Sequence, residues 1–230
     1  MASHKLVALL PMKAHSERVP GKNFRQLGDK PLYAWILDVL LSVESIDTVV
    51  INTDALALFG DDARLRHPRV LLRERTTALC GDFVSMNLII ADDIAAQPAD
   101  SYLMTHVTNP FLTAGTIRSA IAAYRSALVT DSADSLFTVT RHQTRFYRAD
   151  GGAINHDPNN LLRTQDLEPW FEENSCMYLF SGASFARTHA RIGSKPFLFP
   201  IPRREAVDID DQDDWNVAAQ LAAGMASVST

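Results

Sequence analysis

The stretch KLVALLPMKAHSERVPGKNFR, residues 5–25, changes character at Pro11. Before it, Leu6 to Leu10 form an apolar run with no polar alternation. That is the pattern of a strand covered on both faces, as the inner strands of parallel sheets are. After it come Lys13, Arg18, Lys22 and Arg25, while Pro20 and Gly21 mark a loop rather than a helix. A basic loop that directly follows a buried strand sits at the carboxyl end of the sheet, where open α/β folds bind ligands.

The chain beyond the loop repeats the same rhythm. PLYAWILDVLLSV opens at Pro31, and Leu32, Trp35, Ile36, Val39 and Leu40 recur at helical spacing. DTVVIN and RVLLRE read as strands, FVSMNLIIADDIA as a helix and SYLMTHV as a strand. TIRSAIAAYRSAL reads as a helix and SLFTVT as a strand. This βαβ alternation predicts an α/β fold with a mostly parallel sheet covered by helices. The rhythm breaks between about Thr140 and Glu173, where Asp150-Gly151-Gly152 and His156-Asp157-Pro158 replace apolar runs. That stretch reads as an excursion from the sheet, with a hairpin turn at Asp150-Gly151. CMYLFS then reads as a return strand, FLFPI and EAVDI as short strands, and Asp211 to Met225 as a last helix.

The totals narrow the function classes. With 230 residues the chain suits one domain with a small extension. A net charge of -5 argues against a broad nucleic-acid-binding face, so the local basic cluster points to a compact polyanion instead. Two cysteines, Cys80 and Cys176, lie far apart with no CxxC spacing. They give no disulfide framework and no thiolate zinc site, and they fit a reducing, cytoplasmic setting. The run Leu6–Leu10 is too short for a signal peptide or a membrane span, so no membrane partner is expected.

The loop can serve a triphosphate through Lys13, Ser16, Arg18, Lys22 and its backbone N–H groups. It carries neither GxxxxGK[ST] nor GxGxxG, and a solvated basic loop is the plain alternative. A second feature favours the nucleotide. In AVDID, residues 206–210, Asp208 and Asp210 are two apart, which in an extended strand turns both carboxylates to one side. Such a pair can hold Mg²⁺, with phosphate oxygens and water completing the shell. The alternative is a polar strand end and a helix cap from Asp211.

Six pieces in order resemble one family. LLPMKAHSERVPGKNFRQLGDKPL is similar to the opening signature P-x-R-x-x-S-[KR]-x-x-P-x-K-N with a following G-K-P-L. VVINTD, RTTALCGD, HVTNPFLTAGTI, RTQDLEPWFEENSCMY and VDIDDQDDW resemble its later motifs. The family is that of the acylneuraminate (CMP-sialic acid synthetase) cytidylyltransferases, related to the Kdo cytidylyltransferases. The resemblance implies a Rossmann-like, three-layer nucleotidyltransferase fold across residues 1–230. The excursion at about 140–173 would be a small extension used to form a homodimer. It implies transfer of CMP from CTP to the hydroxyl of a 2-keto-3-deoxy sugar acid, with Mg²⁺ required and pyrophosphate released.

The resemblance also assigns residues. Lys22, Lys13 and Arg18 would neutralise the phosphates and carry the catalysis. Pro11, Met12, Lys13, Ser16, Lys22, Asn23 and Arg75 would bind the nucleotide, with Asn23 and Arg75 near the cytosine. A turn-forming asparagine and a surface arginine are the plain alternatives for those two. His106, Thr108, Asn109, Gln165, Asn174 and Tyr178 would bind the acceptor, although a strand tyrosine such as Tyr178 is commonly core. Asp208 and Asp210 would bind the metal. The sequence departs from the family pattern where Lys13 and His106 replace an arginine and a glutamine. Leu112 replaces a second arginine, and Asn174-Ser175 replaces Asn-Gly. These changes cluster at the acceptor end. Two other readings stay open: nucleotidyl transfer to a different acid, and a non-catalytic nucleotide-binding protein on the same fold.

Overall fold

The computed structural model describes residues 4–228. Its sheet has seven strands: β1 Leu6–Leu9, β4 Thr48–Thr53, β5 Val70–Glu74, β6 Ser101–Thr105, β7 Ser135–His142, β8 Trp170–Ser181 and β9 Pro196–Pro200. Residues Gln26–Leu27 (β2) and Lys30–Pro31 (β3) form a separate two-stranded ribbon. The sheet order is β5-β4-β1-β6-β8-β7-β9. β8 is antiparallel to both its neighbours and every other pairing is parallel, so the sheet is mostly parallel, as the alternation of the sequence implies.

Strand alternation builds the layers. Leu6, Ala8 and Leu10 enter one apolar cluster, while Val7 and Leu9 enter another on the opposite face. The first cluster is closed by helices α1 (Leu32–Leu41), α3 (Ala114–Val129) and α5 (Gln212–Val228), through Ile36, Leu37, Ile117, Ile121, Trp215 and Ala218. The second is closed by α2 (Met86–Ala96) and the short α4 (Gly182–Thr188), through Ile90 and Phe185. Burial on both faces explains why β1 reads as an unbroken apolar run: all four of its residues are buried.

The topology decides where a ligand can sit. From β1 the chain moves to β4 and β5 on one side, then crosses to β6 on the other. The carboxyl ends of β1 and β6 therefore flank the point where strand order reverses, the preferred crevice of open α/β sheets.

Three expectations change. EAVDI forms no strand: its first two residues end a turn at 203–206, and 207–210 run irregularly toward α5. The return strand is longer than CMYLFS, since β8 already starts at Trp170. β7 likewise runs on to His142, so the excursion is narrower than the sequence reading gave it. The expected turn is present, with Gly151 at φ 84 and the Arg148 N–H donating to the Gly152 carbonyl at 2.8 Å. β8 also carries an irregularity against β7. The register shifts between Phe137 and Val139 on β7, and opposite it Ser175 is held at φ 58. A left-handed serine there explains why glycine suits this position in the resembling motif.

Candidate active site

The basic loop is clamped before it turns. Beyond β1, the Leu10 N–H donates to the Val50 carbonyl and the Met12 N–H to the Asn52 carbonyl, at 2.8 and 3.0 Å. Asp54, just past the end of β4, accepts from the Ala14 N–H at 2.7 Å and so ties down the loop. Gly21, at φ 64, reverses the chain into a single 3-10 turn over Lys22–Phe24. No atom would crowd a Cβ there, so the left-handed backbone itself favours glycine.

Arg75 holds the site floor. Its Nε donates to Asn52 Oδ1 at 2.9 Å, and one terminal nitrogen donates to the Met12 and Asn52 carbonyls at 3.0 and 2.8 Å. It is only 8% exposed, which removes the reading of a surface arginine. Asn52 is oriented in turn by Asp93, which accepts from its amide at 2.8 Å. Asn23 donates to the Lys13 carbonyl at 2.8 Å and so braces the loop from inside.

A cavity of about 370 Å³ opens between the loop and the end of β6. Of the residues picked out from sequence, Pro11, Met12, Lys13, Ser16, Arg18, Lys22, Asn23, Arg75, His106, Thr108 and Asp210 line it. His15 from the same loop joins them. Arg25 does not: its guanidinium stacks 4.2 Å over the Trp215 ring and donates to Gln212, fastening the loop to α5.

The cations of the cavity are paired with acids. Arg18 meets Asp210 at 2.8 Å and Lys13 meets Asp82. Lys22 is nearly buried and donates to the Ile209 carbonyl. Burial lowers the Lys22 ammonium below the ordinary lysine value, while Asp210 and Asp208 pull it back up. The lysine thus sits in the field of both carboxylates, with its remaining N–H donors available.

Asp208 and Asp210 meet at this point by a different route from strand alternation. The helix cap expected from Asp211 is present. Asp211 accepts from the Asp213 and Asp214 N–H groups, and Asp214 accepts from those of Asp210 and Asp211. The carboxylates of Asp208 and Asp210 take no part in that cap. Asp208 has a buried Oδ1 with no hydrogen-bond partner, and burial raises its carboxyl above the ordinary aspartate value. An orphaned carboxylate oxygen beside a second carboxylate suits a divalent cation. Among the described residues no group of three or more His, Cys, Asp or Glu could hold a metal ion. A cation at the pair would therefore draw the rest of its shell from ligand phosphates and water.

The acceptor candidates divide. His106 and Thr108 line the cavity, whereas Asn109, Gln165, Asn174 and Tyr178 do not. Asn109 is fully buried and donates to the Val207 carbonyl, which holds the 206–210 segment in place. Asn174 is buried and donates to Thr140, bracing the β7–β8 irregularity. Tyr178 belongs to the core, its hydroxyl donating to Glu173, so the packing reading prevails for it. Gln165 lies exposed in the excursion, where its carbonyl accepts from Gln143. Glu17, Gly81, Asp82, Val84, Met86, Ile89 and Val107 also line the cavity and were not singled out from sequence. For Gly81 and Asp82 a signal existed, because RTTALCGD is one of the resembling pieces.

A sheet of this order, with a basic loop after its first strand and a buried lysine in the field of two aspartates, invites comparison with nucleotidyltransferases. A cytidylyltransferase family profile matches residues 7–195. This chain belongs to the cytidylyltransferase family. Among relatives, a CMP-N,N'-diacetyllegionaminic acid synthase of Legionella pneumophila is 24% identical, over 94% of this chain and 96% of that protein. An N-acylneuraminate cytidylyltransferase of Oncorhynchus mykiss is 25% identical over 94% of this chain and 50% of its own length. The chain thus spans about half of that longer relative. Two solved structures share the fold. A 4-diphosphocytidyl-2C-methyl-D-erythritol synthase from Anaerococcus prevotii aligns at TM-score 0.67 with 13% identity, covering 95% of this chain and 96% of the other. A CMP:2-keto-3-deoxy-manno-octonic acid synthetase complexed with CTP aligns at TM-score 0.65 with 13% identity, covering 96% and 99%.

The family profile ends at residue 195, before Asp208 and Asp210. The structure returns those two residues to the loop that the profile does cover. Among the described residues no helix is long and apolar enough to cross a membrane.

Proposed function

We propose that this cytidylyltransferase transfers CMP from CTP to the hydroxyl of a sialic-acid-like 2-keto-3-deoxy sugar acid, with release of pyrophosphate. One observation carries the reading beyond family membership. Lys22 is buried at the carboxyl end of β1 in the field of Asp208 and Asp210, facing a cavity that also holds His106 and Thr108. Relatives named for legionaminic, N-acylneuraminic and pseudaminic acids, each matched over more than nine tenths of this chain, support the sugar-acid class.

The chemistry asks the protein to position two reactants and to stabilise developing negative charge on the α-phosphate and the leaving pyrophosphate. Lys22 supplies a fixed ammonium whose burial keeps it out of bulk water, which would weaken its field. Lys13 and Arg18 reach the phosphates once these displace Asp82 and Asp210 as partners. Ser16 and the loop N–H groups add neutral donors. Arg75 and Asn23 keep the loop at a set height over β1 and β4, so the base meets a preformed surface. Thr108 and His106 receive the acceptor from the β6 side. Asp208 and Asp210 would hold Mg²⁺, which when bound polarises the phosphate and favours loss of the hydroxyl proton. β8 and β9 expose Trp170, Phe171, Phe197 and Leu198, a surface suited to the homodimer that the family resemblance implies.

The test is pyrophosphate release from CTP and Mg²⁺ with a panel of acids: N-acetylneuraminate, legionaminate, pseudaminate, Kdo and several non-sugar acids. Release with one of the sugar acids is the expected result. Turnover with ATP or UTP but not CTP, or with the non-sugar acids alone, would reject the reading.

A further inference from the structure

The site has a neighbour that nothing in the sequence marks. Arg191, in the loop after α4, lies behind His106 and is mostly buried, its side chain 20% exposed. Its guanidinium stacks on the Tyr178 ring at 3.8 Å and faces Glu173 Oε1 at 3.6 Å. Glu173 also accepts from the Tyr178 hydroxyl. The Arg191 backbone N–H is held by Asn87 Oδ1 of α2 at 3.4 Å. The guanidinium is thus fixed from β8 and α2 before it reaches the histidine, and one of its terminal nitrogens meets His106 Nε2 at 3.3 Å.

A guanidinium only donates hydrogen bonds and does not lose its proton in proteins. The contact with Nε2 therefore requires a lone pair on that nitrogen. The ring proton must then sit on Nδ1. No protein atom pairs with Nδ1 among the described residues, and His106 lines the cavity. We infer that Arg191 is a positioning residue which locks His106 in its neutral Nδ1–H tautomer, making it a fixed hydrogen-bond donor toward an oxygen of the bound acceptor. The functional half of this inference rests on the proposed sugar-acid transfer; the tautomer itself does not. Such a donor favours carboxylate, carbonyl or hydroxyl oxygens and disfavours a ligand N–H at the same place. It also means that His106 is not a proton shuttle.

Electrostatics agree with the geometry. Burial, with Arg191 adding to it, pushes the imidazole down to about 3. The charged group touching the ring is Arg191, and Glu173 and Tyr178 of β8 act on it through that arginine. Against Arg191, β6 sets the Met104 sulfur and α2 the neutral Asn87, and the cavity that His106 lines also holds the charged Lys13, Arg18, Lys22, Asp82 and Asp210.

Nitrogen-resolved NMR of the histidine rings, assigned by loss of one signal in His106→Gln, reads the tautomer in the protein without any substrate. The wild type should show Nδ1–H at pH 7 and no protonation of this ring down to pH 5. Arg191→Met, which keeps an apolar stem over Tyr178, should mix the tautomers and move the midpoint back toward the ordinary histidine value of about 6.5. With whichever panel acid turns over, KM for the acid should rise about tenfold while kcat and the KM for CTP stay within about twofold. A wild-type ring that is Nε2–H, or that titrates near neutrality, overturns the inference whether or not the variant folds. So does a folded Arg191→Met protein whose ring is unchanged. If no acid turns over, the functional proposal fails while the NMR result still decides the role of Arg191.

Discussion

Replacing Lys22 by methionine separates the needs of the site from those of the fold. The side chain is 8% exposed, so a methionine of similar length fills the same space. In the free protein the change removes one hydrogen bond to the Ile209 carbonyl, a loss of about 1–3 kcal/mol if that carbonyl goes unserved. Acting against it, burial lowers the ammonium's pKa, which means that holding this charge in the fold costs free energy. The two largely offset, and a net loss of about 1 kcal/mol shifts Tm by about 2–4 °C in a chain of this size. Catalysis has no such offset. A preorganised donor aimed at developing charge is worth about 10²–10³ in rate, or about 2.7–4 kcal/mol, in a site shielded from water. Lys22→Met should therefore lose 10²–10³-fold in kcat/KM at almost unchanged Tm, by the magnitudes quoted for such donors. Pyrophosphate release gives the rate and a thermal melt the stability. A loss below about tenfold would refute the reasoning, since it is less than one charge-assisted hydrogen bond of about 1.5–3 kcal/mol supplies. An equal collapse of Tm would assign Lys22 to structure instead.

Asp210→Ala should abolish pyrophosphate release, yet cost at most about 1 kcal/mol of stability, because its pair with Arg18 is solvent-exposed; near-normal turnover would remove the metal assignment. Ser175→Gly should raise Tm by about 1–4 °C, since φ 58 strains a serine and suits glycine, with a stabilisation of about 0.5–1 kcal/mol; an unchanged or lower melt would show that the Ser175 contact with the Tyr178 hydroxyl outweighs the strain. His106 binds its proton less readily when folded, near 3, than the ordinary 6.5 of an unfolded chain. Its share of stability is thus complete above pH 6.5 and lost as pH falls toward 3, at up to about 1.4 kcal/mol per pH unit. Acid melts of His106→Gln should be correspondingly flatter over that window; identical slopes would show that the imidazole is not held neutral.

Reading the sequence alone, the framework was within reach because its signals are local. Two-sided burial makes β1 a continuous apolar run, and helical spacing marks α1 and α3. Together they imply a parallel sheet and place the loop of residues 11–25 at its carboxyl end. The same loop supplies most of the lining cations, the family resemblance pointed to Arg75, His106 and Thr108, and the two-residue spacing of the aspartates pointed to Asp210. Tertiary structure decided the rest. Asp208 and Asp210 both act on Lys22 although no strand alternation aligns them; packing of their segment against Thr108 and Asn109 brings them there. Arg25 leaves the cavity for Trp215, far along the chain at the start of α5. Arg75 becomes a clamp only because β4 and β5 lie side by side beneath Met12. Tyr178, Asn174 and Gln165 share sequence neighbourhoods with site motifs, yet β8 and the excursion carry them away from the cavity. Arg191 reaches His106 across 85 residues because antiparallel β8 lays Tyr178 and Glu173 against its guanidinium. Periodicity reports which face of an element is buried. Which side chains converge from separate elements depends on strand order and direction, and those are set by the packing of the whole sheet.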